Sequence, residues 1–259
     1  MAVDVIRATT TAVTAAAMGH RIYPAGSIEA AVRLAADLDR PILSGELGGV
    51  QPYGFDLQNS PSQVAELEPS HRPIILLSTS GTRLIAEAAR HGPTYLCCLR
   101  NARAQAAYLA SRGSHVVILG AATRGEFREE DQLCAARVAR DLVRRGYRVA
   151  GRSTAQVLER FGDAPDDVFV EGRSAKYLRD TGQDHDLAFV LEHVDDLEEV
   201  FVIHEGAVRP VTMDAPSARA GSAAAEPPGQ LVGDQAEQQH EKRPEVVAGE
   251  PGSLPDAAE

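Results

Sequence analysis

The sequence predicts an α/β fold, a largely parallel sheet flanked by helices, and three observations carry that expectation. Short apolar runs alternate with amphipathic stretches of helical period through residue 145. Gly19, Gly92, Gly113 and Gly146 each follow a helical stretch, where a left-handed closing residue is favoured. Hydrophobic residues make up 44 % of the 259, enough to bury a substantial core.

In chain order, strands are expected at 2–6, 41–43, 74–78, 94–98 and 115–119. Helices are expected at 9–18, 28–38, 82–90, 102–111 and 129–145. Repeated strand–helix–strand units place parallel strands side by side and helices on both faces. Beyond Gly146 the pattern changes. Short helices at 154–160 and 174–179 precede two strands, 200–204 and 207–211, flanking Glu205 and Gly206 as a hairpin. That hairpin is expected to add an antiparallel edge to the sheet. From Ala215 onward Ala, Gly, Pro, Gln and Glu dominate and apolar periodicity stops. Such a segment buries too little apolar surface to offset its ordering entropy. The chain therefore divides into an α/β domain, 1–214, and a disordered, acidic, Pro/Gly/Ala-rich tail, 215–259, dispensable for chemistry.

Twenty-six Lys and Arg against 37 Asp and Glu leave a net charge of −11. The tail holds eight acids against three bases, a net −5, so the remaining body carries −6. An acidic chain lacks the clustered positive charge that phosphate backbones require, and no nucleic-acid partner is expected. No run approaches the roughly 20 apolar residues of a membrane span, and no signal peptide is visible. A cytoplasmic protein is the expectation, with a homodimer favoured by general enzyme statistics. Cys97, Cys98 and Cys134 form no disulfide framework, and neither CxxC nor HExxH occurs. The sequence also lacks GxxxxGK[ST], GxGxxG and GxSxG.

In an open α/β sheet, ligands bind beyond the carboxyl ends of the strands, where helix N-termini converge. The loops at those positions carry Asp4, Arg7, Thr9 and Thr10, then Glu46 in a glycine-rich loop. Ser80, Gly81, Thr82 and Arg83 follow, then Asn101, then Arg124, with Glu130 and Asp131 shortly after. Arginine forks and helix N-termini suit a multiply charged phosphate. Carboxylates beside them would repel that ligand unless a hard cation intervenes. Mg²⁺ resolves the conflict, taking one or two carboxylates and sharing phosphate oxygens. The expected ligands are Asp4, Glu46, Glu130 and Asp131, with Asp4, Glu46 and Asp131 carrying catalysis. Arg7, Thr9, Thr10, Ser80, Gly81, Thr82, Arg83, Asn101 and Arg124 are expected to bind the small anionic substrate.

Each residue also has a plainer reading. Asp4 could be a structural carboxylate satisfied by nearby amides. Glu46 could be a solvated turn residue, and the dipole favours Glu130 and Asp131 in a first helical turn regardless of function. The arginines could lie at the surface, and Ser80-Gly81-Thr82 could be an ordinary cap.

Several of these loops together resemble the 2-phosphosulfolactate phosphatase family. The segments that carry the resemblance are VDVIRATT from Val3, GELGG from Gly45, GFDLQNSP from Gly54, STSGTR from Ser78, Asn101-Ala102 and EDQLCA from Glu130. They span residues 3–136. The resemblance implies a magnesium-dependent α/β phosphatase associated with coenzyme M biosynthesis. The reaction would convert 2-phospho-3-sulfolactate to 3-sulfolactate and phosphate. Departures stand at Leu47, where the family has arginine, at Ser80, where it has asparagine, and at Ala122 and Ala136, where it has glycine. They leave two alternatives: a same-family phosphatase for another phosphorylated hydroxyacid, sugar or nucleotide, or a non-catalytic anion-binding protein.

Overall fold

A computed structural model of the chain describes residues 1–68, 70–112, 115–122 and 126–211. The predicted tail, 215–259, lies outside the described residues, as does Arg124. The elements begin with β1 (Ala2–Val3), α1 (Ala8–Ala17), β2 (Ile22–Ala25), α2 (Ile28–Asp37) and β3 (Ile42–Gly45). They continue with α3 (Pro61–Ala65), β4 (Ile74–Leu77), α4 (Gly81–Ala89), β5 (Tyr95–Cys97) and α5 (Ala102–Arg112), which follows one 3₁₀ turn at Leu99–Asn101. Next come β6 (Leu119–Gly120), α6 (Glu129–Arg144), α7 (Arg152–Phe161), α8 (Arg173–Asp180) and α9 (Asp184–Glu192). A hairpin of β7 (Phe201–His204) and β8 (Ala207–Pro210) closes the described part.

The fold is α/β, with one mixed sheet of order β3-β4-β2-β8-β7-β5-β1-β6. Strands β3, β4 and β2 form one parallel block, and β5, β1 and β6 form another. The hairpin joins them through three antiparallel pairings, β2–β8, β8–β7 and β7–β5. It is therefore central, not the edge that the sequence predicts. Phe201, Ala207 and Val208 are fully buried there, Phe201 and Val208 in one core cluster with Ile22 and Leu96. Four alternating residues per strand announce a hairpin but not its neighbours.

An odd number of antiparallel steps makes the two parallel blocks run in opposite senses. In a flat sheet their carboxyl ends would lie at opposite edges. The sheet instead curls around α1, which packs against β2, β4, β5 and β8. Helix α1 is ATTTAVTAAA, and its residues from Ala8 to Ala16 are all buried. Small side chains let strands approach on every side, and each threonine hydroxyl has a partner: Thr9, Thr10 and Thr11 donate to the carbonyls of Asp4, Val5 and Arg7. Thr14 accepts from Arg100.

Sequence periodicity misses β2, α3 and α9. Strand β2 contains Pro24, which cannot donate to a ladder. It is tolerated because β8 pairs with β2 only at Ile22, leaving the strand's second edge open further on. Helix α3 is only five residues long, started by Ser60 as cap and Pro61 in the first turn. On the outer face, α5 to α9 enclose a second core containing Val3, Leu133, Phe161 and Phe169. All three cysteines are buried and free.

Candidate active site

Loops following β1, β3 and β4 meet at one cavity of about 420 Å³. Asp4, Arg7, Glu46 and Ser80 line it, joined by Asn59 and Thr79. Its other wall comes from the segment before α6 and from α8: Glu126, Arg128, Arg173, Ser174 and Tyr177. Opposed blocks of the sheet thus deliver carboxyl-end loops to one place, which only a curled sheet permits.

Asp4 leaves β1 almost fully buried, at 8 % exposure. Its Oδ1 accepts the Ala8 N–H at 3.2 Å, while Oδ2 receives no hydrogen bond from the described residues. Gly81, the first residue of α4, packs directly on this carboxylate, and a methyl group there would collide with Asp4 Oδ2 and Ala8 Cβ. Burial pushes the Asp4 carboxyl up to about 7; the Ala8 amide opposes the shift, Glu130 and Glu46 add to it, and Arg7 opposes it. Asp131, in the first turn of α6, accepts the Val5 N–H at 2.7 Å through Oδ1. Burial, then the negative charges of Asp4 and Glu130, raise its carboxyl well above the usual range. Glu130 is 1 % exposed, and its Oε1 has no hydrogen-bond partner among the described residues. Its carboxyl is raised by burial too, against an opposing Ser174 hydrogen bond. Three carboxylates therefore stand close enough to repel one another, without an ion pair to any described cation.

Glu46 differs. Its Oε1 accepts the Thr79 N–H at 2.7 Å, and its Oε2 accepts the Thr79 hydroxyl and the Gly49 N–H, each at 2.7 Å. It ties the loop after β3 to the loop after β4. Gly49 sits at φ +87°, with Tyr177 Oη donating to its carbonyl at 3.0 Å. Added bulk at Gly49 would strike that phenol.

Arg7 is also nearly buried, at 5 % exposure. Its Nη1 donates to Asp186 Oδ2 at 2.6 Å and to Gln183 Oε1 at 2.5 Å. Nε and Nη2 make no hydrogen bond to the described residues, and the side chain lines the cavity. Arg173 and Arg128 both pair with Glu126 on the far wall.

The remaining expected residues have other positions. Thr9 and Thr10 are buried and bonded to the backbone that carries Asp4, so they shape the loop from behind. Thr82 is buried and exchanges bonds with Ser78. Asn101 is buried, accepting from Cys98 N and donating to Leu96 O. Arg83 is exposed and outside the cavity lining. Asp131 faces a neighbouring cavity of about 270 Å³ with Gly120, Phe127 and Val157. Arg128, just before α6, and Arg173, Ser174 and Tyr177 on the short α8 escape sequence reasoning because no local pattern distinguishes them from ordinary surface residues. Asn59 stands in the quoted GFDLQNSP segment, which offered no chemistry of its own.

Fold and site together define an α/β protein with an acid-walled, arginine-flanked cavity at the carboxyl ends of its strands. The family model described as 2-phosphosulpholactate phosphatase matches residues 1–206, and the chain belongs to that family. It is 40 % identical over 129 residues to a probable 2-phosphosulfolactate phosphatase of Carboxydothermus hydrogenoformans, covering 49 % of this chain and 53 % of that protein. A protein of the same description from Symbiobacterium thermophilum is 40 % identical over 136 residues, covering 51 % of this chain and 58 % of its own length. The chain thus spans little more than half of these relatives. A third, from Thermotoga petrophila, is 30 % identical over 188 residues, or 72 % of this chain and 81 % of that protein. Among the described residues no helix is long and apolar enough to cross a membrane.

Proposed function

We propose that this protein is a Mg²⁺-dependent phosphatase that hydrolyses a small anionic phosphomonoester, with 2-phospho-3-sulfolactate as the first candidate. The water adds to phosphorus, the ester oxygen leaves as the hydroxyl of 3-sulfolactate, and inorganic phosphate is the second product. The observation that carries this reading is the wall of Asp4, Glu130 and Asp131, buried together without an ion pair among the described residues, beside a cavity that Asp4 and Arg7 line. Membership of the family and the names of its relatives support the same reaction.

No three acids, imidazoles or thiols among the described residues form a ready-made metal cage. Mg²⁺ does not need one, since it keeps several waters and takes one or two carboxylates plus substrate oxygens. The orphaned Glu130 Oε1 and the unbonded Asp4 Oδ2 fit such a hard, oxygen-seeking cation. Asp4, Glu130 and Asp131 would hold it, at most two of them directly and the rest through water, with Glu46 available from its braced loop. When bound, the ion would supply positive charge to the phosphoryl oxygens and the departing alkoxide. Arg7 would donate Nε and Nη2 hydrogen bonds to the substrate anion, and the start of α4 at Ser80 and Gly81 would favour negative charge. Arg128 and Arg173 would receive the substrate's other anionic groups.

A second reading keeps the chemistry and changes the ester. Leu47 follows Glu46 and is 40 % exposed, where the resemblance calls for a cation. Another phosphorylated hydroxyacid, sugar or nucleotide would lose less from that change. Phosphate release from 2-phosphosulfolactate and a panel of other monoesters, with Mg²⁺ and with EDTA, tests both readings. Release that depends on Mg²⁺ and is greatest for the sulfonated ester is expected. Full rates in EDTA overturn the metal requirement, and no release from any ester overturns the phosphatase.

A further inference from the structure

The GFDLQNSP segment has no part in the proposed chemistry, yet it reaches the cavity. Asn59 lines it and is only 2 % exposed. Its Oδ1 is buried without a partner among the described residues, and its Nδ2 makes no hydrogen bond to them. A buried carboxamide left unpartnered costs free energy unless a ligand completes it. Toward an anion only the Nδ2 end can act, because the amide nitrogen donates and the amide oxygen only accepts.

Next to Asn59, Ser60 donates its hydroxyl to Asp186 Oδ1 at 2.6 Å. Ser62 donates to the same oxygen through its hydroxyl at 2.7 Å and its N–H at 3.2 Å. The other oxygen of Asp186 receives Arg7 Nη1, and this ion pair is buried, with side-chain exposures of 4 % and 0 %. One carboxylate from α9 therefore bridges the loop after β1 to the start of α3. On either side of the bridge stand two cavity-lining groups with unused hydrogen-bonding capacity, Arg7 and Asn59.

We propose that Asp186 clamps Arg7 and Asn59 into one grip for a tetrahedral oxyanion. Arg7 contributes the charge and the N–H groups of Nε and Nη2, and Asn59 contributes its Nδ2 donor. Asp186 is the positioning residue: it consumes Nη1 and so turns the rest of the guanidinium toward the cavity. The phosphoryl group and the sulfonate of the substrate share this tetrahedral, anionic chemistry. The proposal rests on the phosphatase reading for its ligand, but not on turnover for its test.

Full-length protein is titrated calorimetrically with inorganic phosphate and, separately, with methanesulfonate, which tells the two anion types apart. Asn59→Ala and Asp186→Asn are each expected to weaken whichever anion the wild type binds by about tenfold or more. Asp180→Asn, on an exposed acid paired with Lys176, is expected to bind like wild type. Asn59 gives up no hydrogen bond within the chain, so Asn59→Ala should melt no lower than wild type while losing affinity. Should Asp186→Asn fail to fold, the Asn59 variant decides. Wild-type affinity in Asn59→Ala overturns the grip, as does an affinity loss accompanied by a lower melting temperature. A wild type that binds neither anion overturns it as well. Anion binding without phosphate release from any ester would instead retain the grip and overturn only the phosphatase.

Discussion

Two groups of buried acids stand at the loop that carries Asp4 and Arg7 to the cavity, and they could hardly be satisfied more differently. Asp186 is fully buried and receives four hydrogen bonds, one of them from Arg7. Asp4, Glu130 and Asp131 are buried too, but Asp4 and Asp131 accept one backbone N–H each, and one oxygen of Glu130 has no partner among the described residues. Burying a charge is costly unless it is paired. The Asp186 node is therefore complete within the protein. The acid wall finds no such completion among the described residues, and the proposed cation would supply it.

The largest effect should come from breaking the complete node. Asp186→Ala strands the Arg7 guanidinium in a buried site and should cost roughly 3–5 kcal/mol of folding stability, read by urea denaturation. A loss below about 1 kcal/mol would mean that the pair is not buried in solution.

Opening the incomplete wall should do the reverse. Asp4→Asn removes a repelled charge at nearly constant volume, so the metal-free protein should melt no lower than wild type. Its Mg²⁺-dependent phosphate release should fall about a hundredfold, as loss of a key electrostatic contact in an active site does. Unchanged turnover would remove Asp4 from the site. Gly81→Ala separates geometry from charge, because the new methyl group displaces the Asp4 carboxylate without altering its chemistry. Overpacking of this kind costs about 1–3 kcal/mol, and phosphate release should drop alongside.

The smallest effect is the pH dependence of the metal-free protein. The Asp4 carboxyl rises from 3.8 to about 7 on folding, so between those values the native state holds more protons than the unfolded one. Stability must then fall as pH rises through that window and level off above it. In EDTA, the melting temperature should be a few degrees lower at pH 8 than at pH 5. Mg²⁺ should restore more of it at pH 8. A melting temperature that rises between pH 5 and pH 8 in EDTA would contradict the contrast between the two acid groups.

Much of the acid wall was legible from order along the chain. Asp4 follows a short apolar run and Glu46 stands in a glycine-rich loop, and both line the cavity. Glu130 and Asp131 were equally readable as first-turn acids favoured by the helix dipole, and only their burial beside Asp4 sets them apart. Thr82 and Asn101 show the converse. Their loops are the expected ones, but their side chains turn inward to satisfy Ser78, Cys98 and Leu96. Asp186 had no sequence signal, since helix α9 escaped the periodicity reading.

By itself, the sequence determined the alternation of strands and helices, the hairpin, and most of the loops where charge collects. These depend on local period, glycine positions and caps, which act over a few residues. Tertiary structure alone decided that the hairpin is central, that the sheet curls around α1, and that opposed blocks share one cavity. It also decided which buried acids find partners. Pairing across more than a hundred residues, as between Arg7 and Asp186 or Val5 and Asp131, leaves no trace in local pattern because chain separation does not set distance in space.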